Sequence, residues 1–433
     1  MTFDTLKKYG FDYSFRALLI FLPFYTIVSV FFSEKLGISG VSFLKEFLLF
    51  SMLLTLSLFH ISWRERIIWT RYDKVMGLYI AVMLAITVFT TGIKGILYWG
   101  RYDFFFLIAF FTIFHGVIFL EKPLSYYIRI FLISWGMMLL LSMLLKWPLS
   151  EDYLLYLGYS GNPSNWQFGS SIPIFHGVDG ANVRRFQWLL DGPNTMWAYI
   201  LIYMGILTYY LRTKKDWYFV IGGVLLGLAW LIIYTYSRSA LLSLLWALSI
   251  MIFFALRFLY EKYRVQMFSM IIIVILIFGW VGIQYAGNMK ALMARGWSTN
   301  GHMERMTIGI ERFISHPFGQ WLGSAGPAYR YVQDLSWKKR EDIEELDRRY
   351  IPESWYIQQL IEWGIFGFLA FMTLMVSLII GLLRRHLILF GMFISICMMN
   401  FFLHTFESSV ISLTLFLLIG LILWYSRTPN ARK

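Results

Sequence analysis

Four arginines stand where a cation needs a reason. Arg184 and Arg185 precede an apolar run, Arg238 sits in the short turn Tyr236-Ser237-Arg238-Ser239 between two others, and Arg101 begins another. A guanidinium is planar and permanently charged, and it binds phosphate through two parallel hydrogen bonds. At a membrane surface the competing role is snorkelling to lipid headgroups. Arg238, wedged between apolar runs with small neighbours, fits phosphate binding better. Arg101 fits snorkelling better, and Arg184 and Arg185 fit either.

Two polar stretches could present further chemistry. Residues 146–193 hold Gly158, Gly161, Asn162, Pro163 and Pro173, so a loop with little regular structure is expected. Its aromatics, Tyr153, Tyr156, Tyr159, Trp166, Phe168 and Phe175, suit a headgroup belt first and sugar rings second. In 284–355, Met303, Met306, Ile310 and Phe313 form a helical stripe that His316-Pro317 stops. Gly319, Gly323 and Gly326 then make a turn-rich stretch. Glu344/Arg348 and Glu345/Arg349 have i,i+4 spacing, which reads as a solvated charged helix or, as the functional alternative, a lid.

The elements that position these residues are membrane helices. Of 433 residues, 58% are apolar and only 15% charged, too apolar to cover a water-facing surface or to stay disordered. Crossing hydrocarbon takes roughly 20 apolar residues. About twelve such runs occur: 16–33, 42–60, 74–91, 103–120, 126–145, 194–211, 217–235, 239–259, 265–283, 356–381, 386–404 and 408–425. Runs of this kind are helices. The expected fold is therefore all-α, a single polytopic bundle over 1–433 with an outer loop at 146–193. A long, partly helical outer segment, 284–355, lies between spans nine and ten. The first run reads as a retained helix, since no small-residue cleavage site follows it. The lone Cys397 excludes an internal disulfide.

Charge gives the orientation. The net +13 would suggest nucleic acid in a soluble protein. Here Lys7, Lys8, Arg16, Arg64, Arg66, Arg71, Lys74, Lys122 and Arg129 fall on one side of the spans. Arg212, Lys214, Lys215, Arg257, Lys262, Arg264, Arg384, Arg385, Arg427, Arg432 and Lys433 fall on the same side. The positive-inside rule puts that side, with both termini, in the cytoplasm. The excess is a topology signal and no nucleic-acid partner is expected. Both long loops, and Arg101, Arg184, Arg185 and Arg238, then face outward.

Four stretches resemble the bacterial O-antigen ligase and polymerase superfamily of membrane glycosyltransferases. Arg185, followed nine residues later by Pro193-Asn194, is similar to the family's arginine ahead of a Pro-Asn span start, with Trp188 where a glycine is usual. Ser237-Arg238-Ser239-Ala240 resembles its Ser-Arg-small turn. Arg305, followed by the helix that ends in His316-Pro317-Phe318-Gly319, resembles its arginine helix and His-Pro-x-Gly. Tyr356-Ile357-Gln358, continuing to Glu362-Trp363-Gly364-Ile365-Phe366-Gly367, resembles its Tyr-Leu-Gln…Glu-x-Gly-x-x-Gly. Family ligases carry His-Asn where this chain has Glu353-Ser354, so both the polymerase and the ligase branch stay open.

The resemblance implies an inverting transfer of glycan from a polyprenyl-diphosphate donor to a glycan or lipid-linked glycan acceptor, at the outer face of the bacterial cytoplasmic membrane. Arg185 and Arg238 would stabilise the departing diphosphate without a metal or other cofactor. Arg184, Arg305, Asn194, His316, Tyr356 and Gln358 would hold the substrates. The first outer loop, 34–41, offers only Glu34, where other polytopic glycosyltransferases carry an acidic pair, so a metal-free route is expected. Glu353 is the best-placed base, with His302, His316 and His176 as rivals. From another class, a glycolipid flippase or other transporter would place ionisable residues within the spans. Lys45-Glu46 is the main charged pair inside a run.

Overall fold

The computed structural model describes residues 3–63, 69–90, 100, 102–146, 152–160, 176–178, 181–187, 189–211, 228, 231, 235–239, 242–243, 245, 249, 296–326, 329, 346 and 349–427. The spans expected at 217–235, 239–259 and 265–283 lie almost wholly outside them. So do the charged run 338–345, Arg101, Trp166, Phe168 and Phe175. What is described is mostly helical.

The principal helices are α1 Phe3–Phe21, α2 Leu44–Trp63, α3 Arg71–Thr90, α4 Phe105–Gly116 and α5 Leu124–Lys146. After a short hairpin, β1 His176–Val178 and β2 Ala181–Arg185, come α6 Pro193–Leu211, α7 Gly296–Ser315, α8 Trp355–Leu383, α9 Leu387–Met399 and α10 Ser409–Tyr425. Among the described residues four stretches are long and apolar enough to cross a membrane: Tyr9–Lys35, Gly40–Leu58, Leu124–Leu144 and Trp355–Leu383. The chain is therefore built as a multi-pass membrane protein. Phe105–Phe119, Leu387–Met399 and Ser409–Tyr425 are shorter apolar helices.

The hairpin corrects the expectation of little regular structure in 146–193. Its antiparallel register sets His176 opposite Arg185 and Gly177 opposite Arg184, and a helical turn forms at Tyr153–Tyr156. Among the described residues the chain is mostly helical, with these two short strands besides.

Packing follows the apolar faces. α10 lies along α4, α8 along α3, α1 along α2, α6 along α9, and α7 rests on α8. The core is rich in aromatics. Phe106 and Phe416 rings meet at 4.6 Å, with Phe406 and Trp355 on the same cluster. α3 begins with a reciprocal capping pair. The Thr70 N–H donates to Asp73 Oδ2 at 2.6 Å, and the Asp73 N–H approaches Thr70 Oγ1.

The span expected to run to 404 stops as a helix at Met399. Asn400 ends it. Its buried side chain donates back to Ile396 O at 2.8 Å and accepts from the Phe406 N–H at 3.1 Å. Residues 400–408 are thus a fixed connecting turn. The Trp355 N–H, at the start of α8, donates to Asn400 O and Leu403 O.

Among the described residues, three of the arginines assigned to the cytoplasmic side, Arg16, Arg129 and Arg427, are held by aromatic and acidic neighbours. Asp12 receives Arg16 and the Tyr127 hydroxyl, while the main-chain N–H of Lys122 donates to the Tyr127 hydroxyl and its carbonyl accepts from Tyr425. Arg427 lies over the Tyr72 and Phe114 rings, Asp73 pairs with His115, and the Arg129 guanidinium donates to Tyr210.

Candidate active site

Nine residues separate Arg185 from Asn194, and the fold brings them back together. β2 delivers Arg185, the buried side chains of Phe186, Gln187, Leu189 and Leu190 plug the chain into the bundle, and Pro193 starts α6. Proline suits a first helical position because its fixed φ is already helical and no N–H is lost there. Asn194 Oδ1 then accepts from the Arg185 guanidinium at 3.2 Å, while Arg185 Nε donates to Thr235 O at 2.8 Å. Thr235 opens the turn that carries Arg238. Tyr236 in that turn is held at φ +50°, a region L residues enter only when their surroundings fix them. Arg185 therefore ties the end of the hairpin to the Arg238 turn.

A second group forms where α7 meets α8. Gly309 allows the contact: a Cβ there would lie 2.7 Å from Ile357 and 2.8 Å from Pro352. One turn before it, Arg305 forms an ion pair with Glu353, and His302 Nδ1 stands 3.4 Å from the other Glu353 oxygen. Glu353 itself adopts φ +53°. His404, half-buried in the turn after α9, lies within electrostatic reach of His302 and Arg305. The face of α7 that packs differs from the expected stripe. Met306, Gly309 and Phe313 turn toward α8, whereas Met303 and Ile310 are 59% and 45% exposed. Close approach at Gly309 selects the face.

The groups adjoin one groove. Leu242 and Ser243, one turn beyond Arg238, meet Met306, next to Arg305, across an apolar cavity of about 280 Å³ closed by Met398, Phe401 and Phe402.

Beneath α7, α8 breaks at Gly364, where φ is +61° and ψ −169°. A kink of this kind frees backbone groups, and the 316–320 loop pairs them. The Ile365 N–H donates to Pro317 O, and Ile361 O accepts from the Gln320 N–H, both at 2.9 Å. The carboxyl of Glu362, fully buried, accepts from the Gly323 N–H at 3.0 Å and the Ala325 N–H at 3.3 Å. The Gly319–Gly326 turn is thus moulded onto α8, and it leaves a second cavity, of about 440 Å³, beside Arg312, His316, Trp321 and Tyr350.

Of the residues named from sequence, Arg185, Asn194 and Arg238 share one group and Arg305 and Glu353 another. His316 sits on the rim of the larger cavity, its Nδ1 2.9 Å from Ser315 Oγ. Tyr356 and Gln358 point into the bundle instead: the Tyr356 hydroxyl donates to Cys397 O at 2.8 Å, and Gln358 Nε2 donates to Glu407 Oε1 at 2.6 Å. Both side chains are thus bonded within the bundle. The side chains of Arg184 and His176 lie outside the described atoms. Sequence reasoning passed over His404, the loop-anchoring role of Glu362 and the cation of Arg312. The last had a signal, because Arg312 lies seven residues beyond Arg305 and so on the same face of α7.

No curated protein matches the chain. Residues 222–372 match the family model described as O-antigen ligase, a stretch holding Arg238, His302, Arg305, the 316–326 loop, Glu353 and the Gly364 kink. That stretch, 222–372 of 433 residues, matches an O-antigen ligase domain and supports placing the chain in the O-antigen ligase superfamily.

Proposed function

We propose that the protein moves glycan from a polyprenyl-diphosphate donor to a sugar hydroxyl at the outer face of the bacterial cytoplasmic membrane, with inversion and without a metal. The observation that carries the reading is the apolar groove bordered by the chain segments of Arg238 and Arg305, with Arg185 bonded to the Arg238 turn. An apolar channel suits an isoprenoid chain, and the neighbouring guanidiniums suit its diphosphate. In the step, the anomeric C–O bond to the diphosphate breaks and its electron pair goes to the phosphate oxygen. The acceptor hydroxyl oxygen bonds the anomeric carbon from the opposite face, and its proton passes to Glu353. Charge developing on the leaving diphosphate meets cations already in place, the kind of preorganised stabilisation that contributes most to such steps.

The test is a purified transfer assay with lipid-linked oligosaccharide. Arg238→Ala remains folded and membrane-inserted but loses at least about 10²-fold in rate, and EDTA leaves the parent enzyme active. Normal product from Arg238→Ala sinks the arginine model, and loss with EDTA that Mg²⁺ or Mn²⁺ restores overturns the metal-free route. Polymer growth on lipid-linked acceptor marks a polymerase, and attachment to a lipid-core acceptor marks a ligase. A flippase is the second reading, favoured by the fully buried Asp103 and Glu362 and the nearly buried Glu407 within the bundle. Leaflet exchange without glycosidic product would put it first.

A further inference from the structure

The larger cavity lies outside the proposed transfer centre. Its walls are the end of α7, the turn anchored by Glu362, and Tyr329 and Tyr350. At about 440 Å³ it falls in the range of small-ligand sites. Two arginines line it. Arg312 is half-buried, with its guanidinium 4.7 Å from the Tyr350 ring centre, and Arg349 lies 5.8 Å from the same ring. Among the described residues Arg312 donates to neutral oxygens: Gln320 Oε1, Ser324 O at 3.2 Å and Arg349 O at 3.4 Å. Among the described residues neither arginine forms an ion pair with a carboxylate. Burial presses the pKa of Arg312 below its ordinary value, and the neighbouring Arg349 charge acts in the same direction.

The half-buried Arg312 is repelled by the exposed Arg349 beside it, and an anion between them relieves the cost. The remaining lining limits what that anion is attached to. Trp321 is 40% exposed at the rim, and Tyr329 and Tyr350 stack at 4.9 Å. Ser315, His316 and Gln320 bring hydroxyl, imidazole and amide groups. Aromatic faces beside fixed donors and acceptors fit a pyranose ring with its hydroxyls better than a bare ion.

Resting on the glycan-transfer reading, we propose that this cavity binds an acidic sugar of the glycan substrate, one bearing a carboxylate or a phosphate ester, with Arg312 and Arg349 on the anionic group. Arg349 is exposed, and among the described residues its guanidinium meets the Tyr350 ring and forms no ion pair, so Arg349→Gln is the informative variant. The full-length protein in detergent would be titrated with a galacturonic acid trimer, a galactose trimer and inorganic phosphate. Binding of the uronate trimer at least about tenfold tighter than either control, and weakened about tenfold by Arg349→Gln, is expected. Trp321→Ala weakens the trimer and leaves phosphate unchanged. Equal affinity for both trimers overturns the proposal, as does indifference to Arg349→Gln. Phosphate binding as tightly as the trimer means an anion subsite without a sugar, and overturns it too. The transfer assay separates the two readings: product formation without uronate binding removes only this proposal, whereas uronate binding without product removes the transferase.

Discussion

Glu353 is held at φ +53°, a conformation that costs of order 1–3 kcal/mol in a residue with a Cβ. A glycine would sit there without strain, so the carboxylate has to repay the cost, and its partners say how. One oxygen meets Arg305 and the other faces His302, a fixed orientation suited to receiving a proton. Glu353→Gln keeps the shape and removes the basicity. The expected result is a folded protein whose transfer rate falls by about 10²–10⁴, read in the purified assay. An unchanged rate would reduce the Arg305–Glu353 pair to a helix clasp. The nearness of Glu353 to a span start was visible in the sequence. Its pairing with Arg305, 48 residues away, was not, because it depends on the close approach that Gly309 permits. Tyr356 and Gln358 show the converse: the motif marked them, and only packing reveals that they face the bundle.

At the scale of elements, the kink of α8 and the 316–326 loop are one device. Gly364 occupies a region of backbone space open essentially to glycine alone, and a Cβ there would lie 2.2 Å from the Phe318 carbonyl carbon and 2.5 Å from the Gly319 nitrogen. Both neighbours are backbone and cannot swing aside. Gly364→Ala should therefore lower the thermal midpoint in detergent by several degrees and slow transfer, since Glu362 and the turn it holds are displaced together. Gly301→Ala is the matched control. It lies inside α7 with nothing within 4 Å of the added methyl, so it leaves activity alone and stabilises by up to about 1 kcal/mol. Equal midpoints for the two variants would mean that the loop does not depend on the kink. Hydropathy marks 356–381 as one unbroken run, and the structure agrees on its length while breaking it at Gly364. Apolarity measures reach across a membrane and is blind to where a backbone turns. The hairpin before α6 was missed for a related reason: its strands are short and set by register, without an alternating apolar pattern.

Across the whole molecule, the arginines fall into two groups. Among the described residues Arg16, Arg129 and Arg427 are bound among Asp12, Tyr210, Tyr72 and Phe114. Elsewhere Arg185 is bonded to the Arg238 turn, Arg305 is paired with Glu353, and Arg312 lines the larger cavity. The first group was legible from sequence because basic residues fall between alternate apolar runs, a count that needs no packing. The second was legible only in part, since its cations earn their place from partners distant in the chain. If the basic side is cytoplasmic, a thiol at Ser315, exposed beside the larger cavity, faces outward and one at Arg384, exposed after α8, faces inward. With the buried Cys397 replaced by serine, Ser315→Cys should react with a membrane-impermeant maleimide in cells whose inner membrane is intact. Arg384→Cys should react only after that membrane is opened. The reverse pattern would invert the bundle and place the groove, the arginines and Glu353 in the cytoplasm. There an outward-facing lipid-linked donor could not reach them, so orientation is a condition of the proposed transfer.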